Sequence, residues 1–176
     1  KEFWIGNNGK IYFTTYTWDN GYRPLINSVN IENESLAIDT VWTPSTPDEN
    51  NAVGQFFRTT TQGSHLLRTK ESVVFVDTYF SWIKSFEFFE ATNTVKLIDL
   101  PTIEQGAIIE NSDDYYYIAT GSNLYKVSFA DHSYIKLINT GEYEVYTMSV
   151  SNDDIVQISA LRFSDGKKVF CEINAE

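Results

Sequence analysis

The chain repeats itself: four stretches of its sequence align at one phase, and each consists of short apolar strands separated by polar turns. They run from Phe3 to Asp39, Leu66 to Asp99, Ile108 to Asn139 and Met148 to Asn174. Their starts are 63, 42 and 40 residues apart. A period near 40 residues made only of strands is typical of β-propeller blades or of a β-solenoid. The repeat predicts how the chain is built and indicates no reaction.

The third stretch shows the strand order most clearly. It predicts strands at Ala107–Ile109, Tyr115–Thr120, Leu124–Phe129 and Tyr134–Ile138, joined by turns of Asp, Asn, Ser and Gly. These residues favour tight turns because they cap their own backbone or accept a positive φ. Four antiparallel strands with short connections form one propeller blade. We therefore expect an all-β fold, a β-propeller-type array of about four four-stranded antiparallel blades.

The repeats also predict the domain organisation. We expect a single propeller-like domain over residues 1–176, because a chain of this length buries one sizeable core. Its units fall at about 3–42, 66–100, 107–139 and 147–174. The alternative fold is a β-sandwich, in which the strands would be shared between two stacked sheets.

An insertion, Thr43 to Gln62, accounts for the longer first spacing. Its two prolines and its Asp-Glu-Asn-Asn run are typical of a loop rather than a strand. Loops of this length are uncommon in compact domains and often functional. We expect a mobile loop at one rim, with Phe56 and Phe57 anchoring it or adding a short edge strand.

The fourth unit ends after its third predicted strand. Only Ala175 and Glu176 follow Asn174, while the first unit begins directly with an inner strand at Phe3. We expect about three and three-quarter blades, which form part of a larger propeller or are completed by a strand from elsewhere, because open strand edges pair readily. The open edge also predicts self-association.

Composition excludes several classes of function. The formal net charge is −11 and no basic run exceeds Lys167-Lys168, so a nucleic-acid backbone would be repelled. No stretch of 18 apolar residues is present to span a membrane. The single cysteine, Cys171, lies in a predicted strand and is expected to be a buried structural thiol.

No catalytic constellation is found. His65 and His132 each fall in a predicted turn, as solvated residues, and no zinc, phosphate-loop or nucleophile-elbow motif accompanies them. The acidic turns at 111–114 and 152–154 lack the pattern of a calcium loop. We therefore predict no catalytic residue, no metal site and no cofactor.

Two segments carry a resemblance to a known group of proteins. Ser122 to Ser128 (SNLYKVS) resembles the strand common in bacterial propeller-repeat proteins, and Ser164 to Val169 (SDGKKV) is similar to the turn of TolB-like repeats, without its proline. The resemblance, to TolB-like and NHL-like blades, implies an extracytoplasmic propeller at the cell surface or in the periplasm. It implies no particular activity.

Aromatic side chains are the candidate ligand-binding residues. Trp18, Tyr22, Trp42, Tyr79 and Trp82 lie at predicted strand ends or in connections, where a ring can stack on a sugar or anchor a partner. Packing inside the protein is the competing interpretation of the same rings. We expect a non-catalytic binding or scaffold domain that recognises a protein or a glycan. The alternatives are part of a glycan-active hydrolase and a carbohydrate-binding β-sandwich module.

Overall fold

The computed structural model describes residues 3–18, 21–32, 35–59, 64–78, 80, 82–139 and 141–175. Within these residues the chain forms four antiparallel sheets in sequence order, and a helix lies between the first two. In every sheet, neighbouring strands are also neighbours in the chain, so each sheet is a meander.

The first sheet begins with the hairpin turn that the sequence predicts at Asn7, Asn8 and Gly9. Gly9 has a φ of 77°, which glycine adopts without a Cβ clash. The amide of Gly6 donates a hydrogen bond to the carbonyl of Lys10 at 2.8 Å and closes the turn. The strands of this sheet are β1 (Phe3–Ile5), β2 (Ile11–Thr17), β3 (Arg23–Glu32) and β4 (Ser35–Trp42).

The second sheet contains β6, a strand whose six side chains are all buried. A continuous run of Val and Phe, rather than an alternating pattern, is what a strand covered on both faces requires. The strands of this sheet are β5 (Ser64–Arg68), β6 (Ser72–Asp77), β7 (Ser85–Phe89) and β8 (Thr94–Ile98).

The third and fourth sheets follow the same plan. The third consists of β9 (Ile108–Asn111), β10 (Tyr115–Thr120), β11 (Asn123–Ser128) and β12 (Tyr134–Asn139). The fourth consists, among the described residues, of β13 (Tyr143–Val150), β14 (Ile155–Arg162) and β15 (Lys167–Asn174). Three strands in this sheet is the number that the repeat predicts.

The predicted fold class is confirmed: the chain is all-β and is built as an array of antiparallel, blade-like sheets. β10 begins and ends at the residues that the sequence predicts. The sheets also separate into two compact units, residues 1–77 with 82–98 and residues 78–81 with 99–176. The single domain over residues 1–176 stays a prediction.

Aromatic rings fill the core of the first unit. Trp4 of β1 stacks on Tyr12 at 5.4 Å between ring centroids, and it meets the ring of Phe75 edge-on at 5.2 Å. Phe75 in turn stacks on Phe86 at 4.7 Å. Offset stacked and edge-to-face rings add about 0.5–1.5 kcal/mol per pair to the burial of their area. The first two sheets are therefore held together by one aromatic cluster.

The core of the second unit is mainly aliphatic. Tyr117 and Leu124 from the third sheet pack with Met148, Val156 and Ile158 from the fourth. Val156 and Ile158 occupy alternate positions of β14, as expected for a strand with one buried face, whereas β10 is buried from Tyr116 to Thr120.

The insertion is not a loop. Its central part is the helix α1 (Pro47–Thr59), so the prediction of a loop over Thr43–Gln62 is wrong there, and its last three residues lie outside the described part. Phe56 and Phe57 are 0% and 5% exposed on the helix, so they anchor the segment as predicted, but within a helix. No helix in the described ranges is long and apolar enough to cross a membrane.

The two histidines are less exposed than their sequence context predicts. His65 lies inside β5 rather than in a turn, and burial lowers its pKa, opposed by the nearby Asp77 carboxylate. His132 does lie in a turn, with a φ of 61°, but it is 6% exposed, and its Nδ1 lies 3.2 Å from the Tyr116 hydroxyl. His65 is therefore part of a strand, and His132 packs against β10 through its contact with Tyr116.

Candidate functional site

The five rings predicted to bind a ligand have different positions in the structure. Trp18 and Trp82 are 76% and 61% exposed, and Tyr22 is half-buried. Trp42 is 7% exposed, because it pairs with the buried Ile26 on the inner face of its sheet. Its ring is part of the core, which favours the packing interpretation, and its binding of a ligand stays a prediction. Tyr79 lies outside the described residues.

The exposed rings border the helix α1, and local sequence explains why the helix begins where it does. The amide of Glu49 donates to the Thr46 hydroxyl at 3.2 Å, and the Glu49 carboxylate accepts from the Ser45 amide at 2.7 Å. This is a variant of the capping box, in which the carboxylate accepts from the residue before the N-cap Thr46, and Pro47 is at the first helical position. The acidic Asp48 and Glu49 in the first turn also suit the positive end of the helix dipole.

Tyr22 packs against this helix at a glycine. A Cβ on Gly54 would come within 3.3 Å of the Tyr22 ring and 3.7 Å of Pro24. The buried Gly54 therefore lets the β2–β3 connection lie directly on α1. At the last helical turn, the guanidinium of Arg58 lies 4.8 Å from the centroid of the same Tyr22 ring. Tyr22 is thus fixed along the length of α1.

Three aromatic rings meet at this point. The ring of Tyr16 stacks on that of Tyr22 at 4.5 Å, and Trp18 meets Tyr22 edge-on at 5.4 Å. The structure therefore brings together two of the predicted rings, Trp18 and Tyr22, and adds Tyr16. The exposed ring of Trp18 is held by an aromatic neighbour and presents its other side to solvent.

Burial dominates the electrostatics of these phenols. It raises the pKa of Tyr16 strongly, with a further increase from the adjacent Tyr22 hydroxyl and an opposing effect of Arg58. Burial also raises the pKa of Tyr22, while Tyr16 and Arg58 act in the opposite direction. Both phenols are therefore neutral near pH 7, as hydrogen-bonding groups rather than bases.

A first cleft opens beside this cluster; we call it the Tyr22 cleft. It has a volume of about 360 Å³. On one side the Arg23 guanidinium donates a hydrogen bond to the Pro44 carbonyl at 2.8 Å, which fixes the approach to the helix. The cleft is lined by Gly21, Tyr22, Arg23, Pro44, Ser45, Thr46, Pro47, Asn50 and Asn51.

A second cleft, the Trp82 cleft, lies along another side of α1 and has a volume of about 310 Å³. One wall is the helix, where Asp48, Asn51 and Gln55 follow one another at spacings of three and four residues and so share a face. The other wall is the Trp82–Lys84 segment, in which Ile83 is buried and Trp82 exposed. Asn51 lines both clefts.

The arrangement is that of a binding surface. We use the name α1 surface for the Tyr22 cleft, the Trp82 cleft and the exposed rings of Trp18 and Trp82. Flat rings alternate there with amide and carboxylate side chains that donate and accept hydrogen bonds. Among the described residues, no three His, Cys, Asp or Glu side chains lie close enough together to hold a metal ion.

Sequence reasoning missed the polar members of this surface, Asp48, Asn51 and Gln55. The signal that would have revealed them is the Thr46-Pro47-Asp48-Glu49 run, a strong helix start that places residues 48, 51 and 55 on one face.

Comparison with known proteins gives neighbours in structure alone. No family model matches the chain, and no curated protein matches it. Among solved structures, the chain is similar to streptogramin B lyase, with a TM-score of 0.49 and 11% identity, over 97% of this chain and 53% of that one. It is also similar to a puromycin hydrolase S511A mutant complexed with PGG, with a TM-score of 0.47 and 8% identity, over 99% of this chain. The chain thus spans about half the length of the first neighbour and 29% of the second.

Proposed function

We propose that this protein is a non-catalytic binding domain that holds a glycan on the α1 surface. One observation carries the proposal: the exposed ring of Trp82 faces the polar side of α1 across a cleft of about 310 Å³. A flat ring can cover the apolar face of a sugar while the opposite wall binds its hydroxyl groups. A glycan ligand also suits the extracytoplasmic location that we propose.

The composition of the cleft favours a glycan over a protein partner. Protein interfaces are centred on a contiguous apolar patch with a polar rim. Here the exposed Trp82 is surrounded by Asp48, Asn51 and Gln55, and Ile83 beside it is buried. Hydrogen-bonding groups around an exposed ring provide many weak polar contacts, which match a ligand with several hydroxyl groups.

The acidic groups favour binding over hydrolysis. Glycoside hydrolases use two carboxyl groups about 5–5.5 Å or about 6.5–9.5 Å apart, on either side of the scissile bond. Asp48 is the one carboxylate that lines the Trp82 cleft, and the Tyr22 cleft is lined by none. Neither cleft is therefore lined by the second carboxylate that a catalytic pair requires.

The test is a binding measurement with soluble neutral oligosaccharides of differing linkage, followed by tryptophan fluorescence and calorimetry. Trp82→Ala should reduce affinity for any oligosaccharide that binds by about two- to twelvefold, because stacking on one ring contributes about 0.5–1.5 kcal/mol. Asn51→Ala should weaken binding as well, since Asn51 lines both clefts.

Phe170→Ala is the matched control, because Phe170 is an aromatic residue of the second unit with 71% exposure. It should leave the affinity unchanged. Equal loss of affinity in Phe170→Ala and Trp82→Ala would contradict the proposed position of the site. If the chain binds a protein and no oligosaccharide, and Trp82→Ala abolishes that binding, then the ligand of the α1 surface is a protein and the glycan proposal is wrong.

A further inference from the structure

A third cleft, which we call the turn cleft, lies at the other end of the strands of the first unit. In a meander the turns alternate between the two ends, so the β1–β2 turn lies opposite the β2–β3 connection that packs on α1. The β5–β6 and β7–β8 turns join it there. The turn cleft has a volume of about 500 Å³ and is lined by Asn7, Asn8, Lys70, Glu71, Phe89, Glu90, Ala91 and Thr92.

The three turns are fixed to one another by hydrogen bonds. The Asn7 side-chain amide donates to the Thr69 carbonyl at 3.0 Å, which links the β1–β2 turn to the β5–β6 turn. The backbone amide of Asn7 donates to Oε2 of Glu90 at 2.7 Å, which links the same turn to the β7–β8 turn. These two hydrogen bonds hold the three turns in a fixed arrangement, so the turn cleft is formed without a ligand.

Glu90 is the unusual residue of this cleft. The residue is only 6% exposed. Its Oε2 accepts a hydrogen bond from the Asn7 backbone amide, whereas Oε1 is buried and has no hydrogen-bond partner in the described part of the chain. Space for the carboxylate is made by Gly6, where a Cβ would lie 2.7 Å from Oε2. A buried acceptor without a donor is costly, so its retention at the wall of a cleft points to a ligand that supplies the donor.

We propose that the turn cleft binds a primary ammonium group, with Glu90 as its carboxylate partner. A cationic N–H donor forms a charge-assisted bond, which is roughly twice as strong as a neutral one. Because Oε1 is shielded from bulk solvent, we expect the donor to be a compact head group that reaches it as the wall of the cleft adjusts. An ammonium group is compact, whereas a guanidinium is a broad planar fork.

A divalent cation fits this cleft less well. Calcium takes six to eight oxygen ligands, often from several carboxylates. The turn cleft offers the two carboxylates of Glu71 and Glu90, and one oxygen of Glu90 is already bonded to a backbone amide. Lys70 also lines the cleft; its ammonium repels a divalent cation twice as strongly as a monovalent one at the same distance, and it competes with either for the same carboxylates.

The experiment is a titration of the full chain with n-butylamine at pH 7.5, followed by amide NMR, with neutral 1-butanol as the matched probe. Butylammonium should bind with a Kd on the order of 1 mM and shift the Asn7 and Asn8 amides, because a ligand this small has few contacts. Glu90→Gln should weaken binding by at least tenfold, about 1.4 kcal/mol. Glu71→Gln, a carboxylate exposed at the same cleft, should change it by less than threefold.

Two further variants keep the test valid if Glu90→Gln does not fold. Ala91→Trp, at an exposed lining position, should fill the cleft and abolish binding, and Lys70→Met should strengthen binding by removing the competing ammonium. The inference is overturned if 1-butanol shifts the same amides as strongly, if Lys70→Met weakens binding, or if calcium chloride binds and butylammonium does not. A loss of glycan binding in Trp82→Ala would leave this outcome unaffected, because the two sites share no lining residue.

Discussion

The ammonium of Lys126 lies 3.0 Å from Oδ2 of Asp154 and joins the third sheet to the turn between β13 and β14. The other carboxylate oxygen of Asp154 accepts from the Ser112 hydroxyl at 2.6 Å, and Lys126 also donates to the Ala175 carbonyl at 2.7 Å. The Lys126 and Asp154 side chains are only 10% and 20% exposed. This network therefore holds the two sheets of the second unit at a largely dry position.

Removing the charge of Asp154 should destabilise the second unit. Asp154→Asn keeps the shape and tolerates the φ of 55° at this position, but it leaves the Lys126 charge without its ion-pair partner. We expect a loss of about 2–3 kcal/mol in the free energy of unfolding, measured by urea denaturation. The exposed neighbour is the control: Asp153→Asn should change stability by less than about 0.5 kcal/mol.

The same carboxylate should make stability depend on acid pH. Burial alone would raise the pKa of Asp154, but hydrogen bonds from Ser112 and Lys126 outweigh it and lower the pKa. A carboxyl group with a lowered pKa stabilises the folded state above its unfolded pKa, about 4, and loses this contribution as pH falls through the folded value. Urea midpoints from pH 7 to pH 2.5 should converge for wild type and Asp154→Asn at the acid end. A constant difference between them would rule out this linkage.

The sheets could be predicted from the sequence because their signal is local and repeated. In β10 (YYYIAT), five of the six residues are β-branched or aromatic, and the strand lies between an Asn-Ser-Asp-Asp turn and a Gly-Ser turn, so both ends are marked. The helix α1 is harder to predict, because its Asp-Glu-Asn-Asn run is equally typical of a loop. Those same residues are typical of a first helical turn when they follow Thr46 and Pro47.

The candidate site could be predicted only in part. Trp42 and Trp82 have the same kind of sequence context, but one ring is 7% exposed and the other 61%. Strand register decides which face of the sheet a tryptophan at a strand end occupies, and Trp42 pairs with the buried Ile26. Register is set by the whole sheet, so the local sequence around a tryptophan does not reveal it. The turn cleft was likewise invisible, because Asn7 and Glu90 are separated by 83 residues.

Gly6 should not tolerate a side chain. A Cβ at this position would come within 2.6 Å of the Tyr12 ring, 2.7 Å of Glu90 Oε2 and 2.8 Å of Asn8 Oδ1. We expect Gly6→Ala to reduce the free energy of unfolding by about 1–3 kcal/mol through overpacking. Gly141→Ala provides the comparison, since nothing lies within 4 Å of a Cβ there. Equal urea midpoints for the two variants would mean that the turn relaxes without cost.

Trp42 and Trp82 should respond to substitution in opposite ways. Trp42→Ala removes a buried ring and should cost about 3–5 kcal/mol of stability. Trp82→Ala removes an exposed ring and should cost less than about 1 kcal/mol, while binding on the α1 surface is weakened. Thermal denaturation of both variants separates the two effects. A severe loss of stability in Trp82→Ala would identify its ring as a packing residue and remove the basis of the proposed glycan site.

The capping box of α1 connects helix stability to binding. Thr46→Ala removes the hydroxyl that accepts the Glu49 amide, which should cost about 1 kcal/mol and fray the first turn. Asp48 and Asn51 lie in and just after that turn and line the Trp82 cleft, so oligosaccharide affinity should fall even though Thr46 does not line that cleft. Thr46→Ser, which keeps the hydroxyl, should restore both properties.

Thr43→Ala is the matched control, because Thr43 is exposed and precedes the capping box. It should leave both the urea midpoint and the oligosaccharide affinity unchanged. Amide hydrogen exchange should show faster exchange at Asn50 and Asn51 in Thr46→Ala, because Asn50 bonds to the Thr46 carbonyl at 3.1 Å in the first helical turn. Faster exchange at these amides with unchanged affinity would mean that the ligand does not depend on the polar face of α1, and the Trp82 cleft would then not be its site.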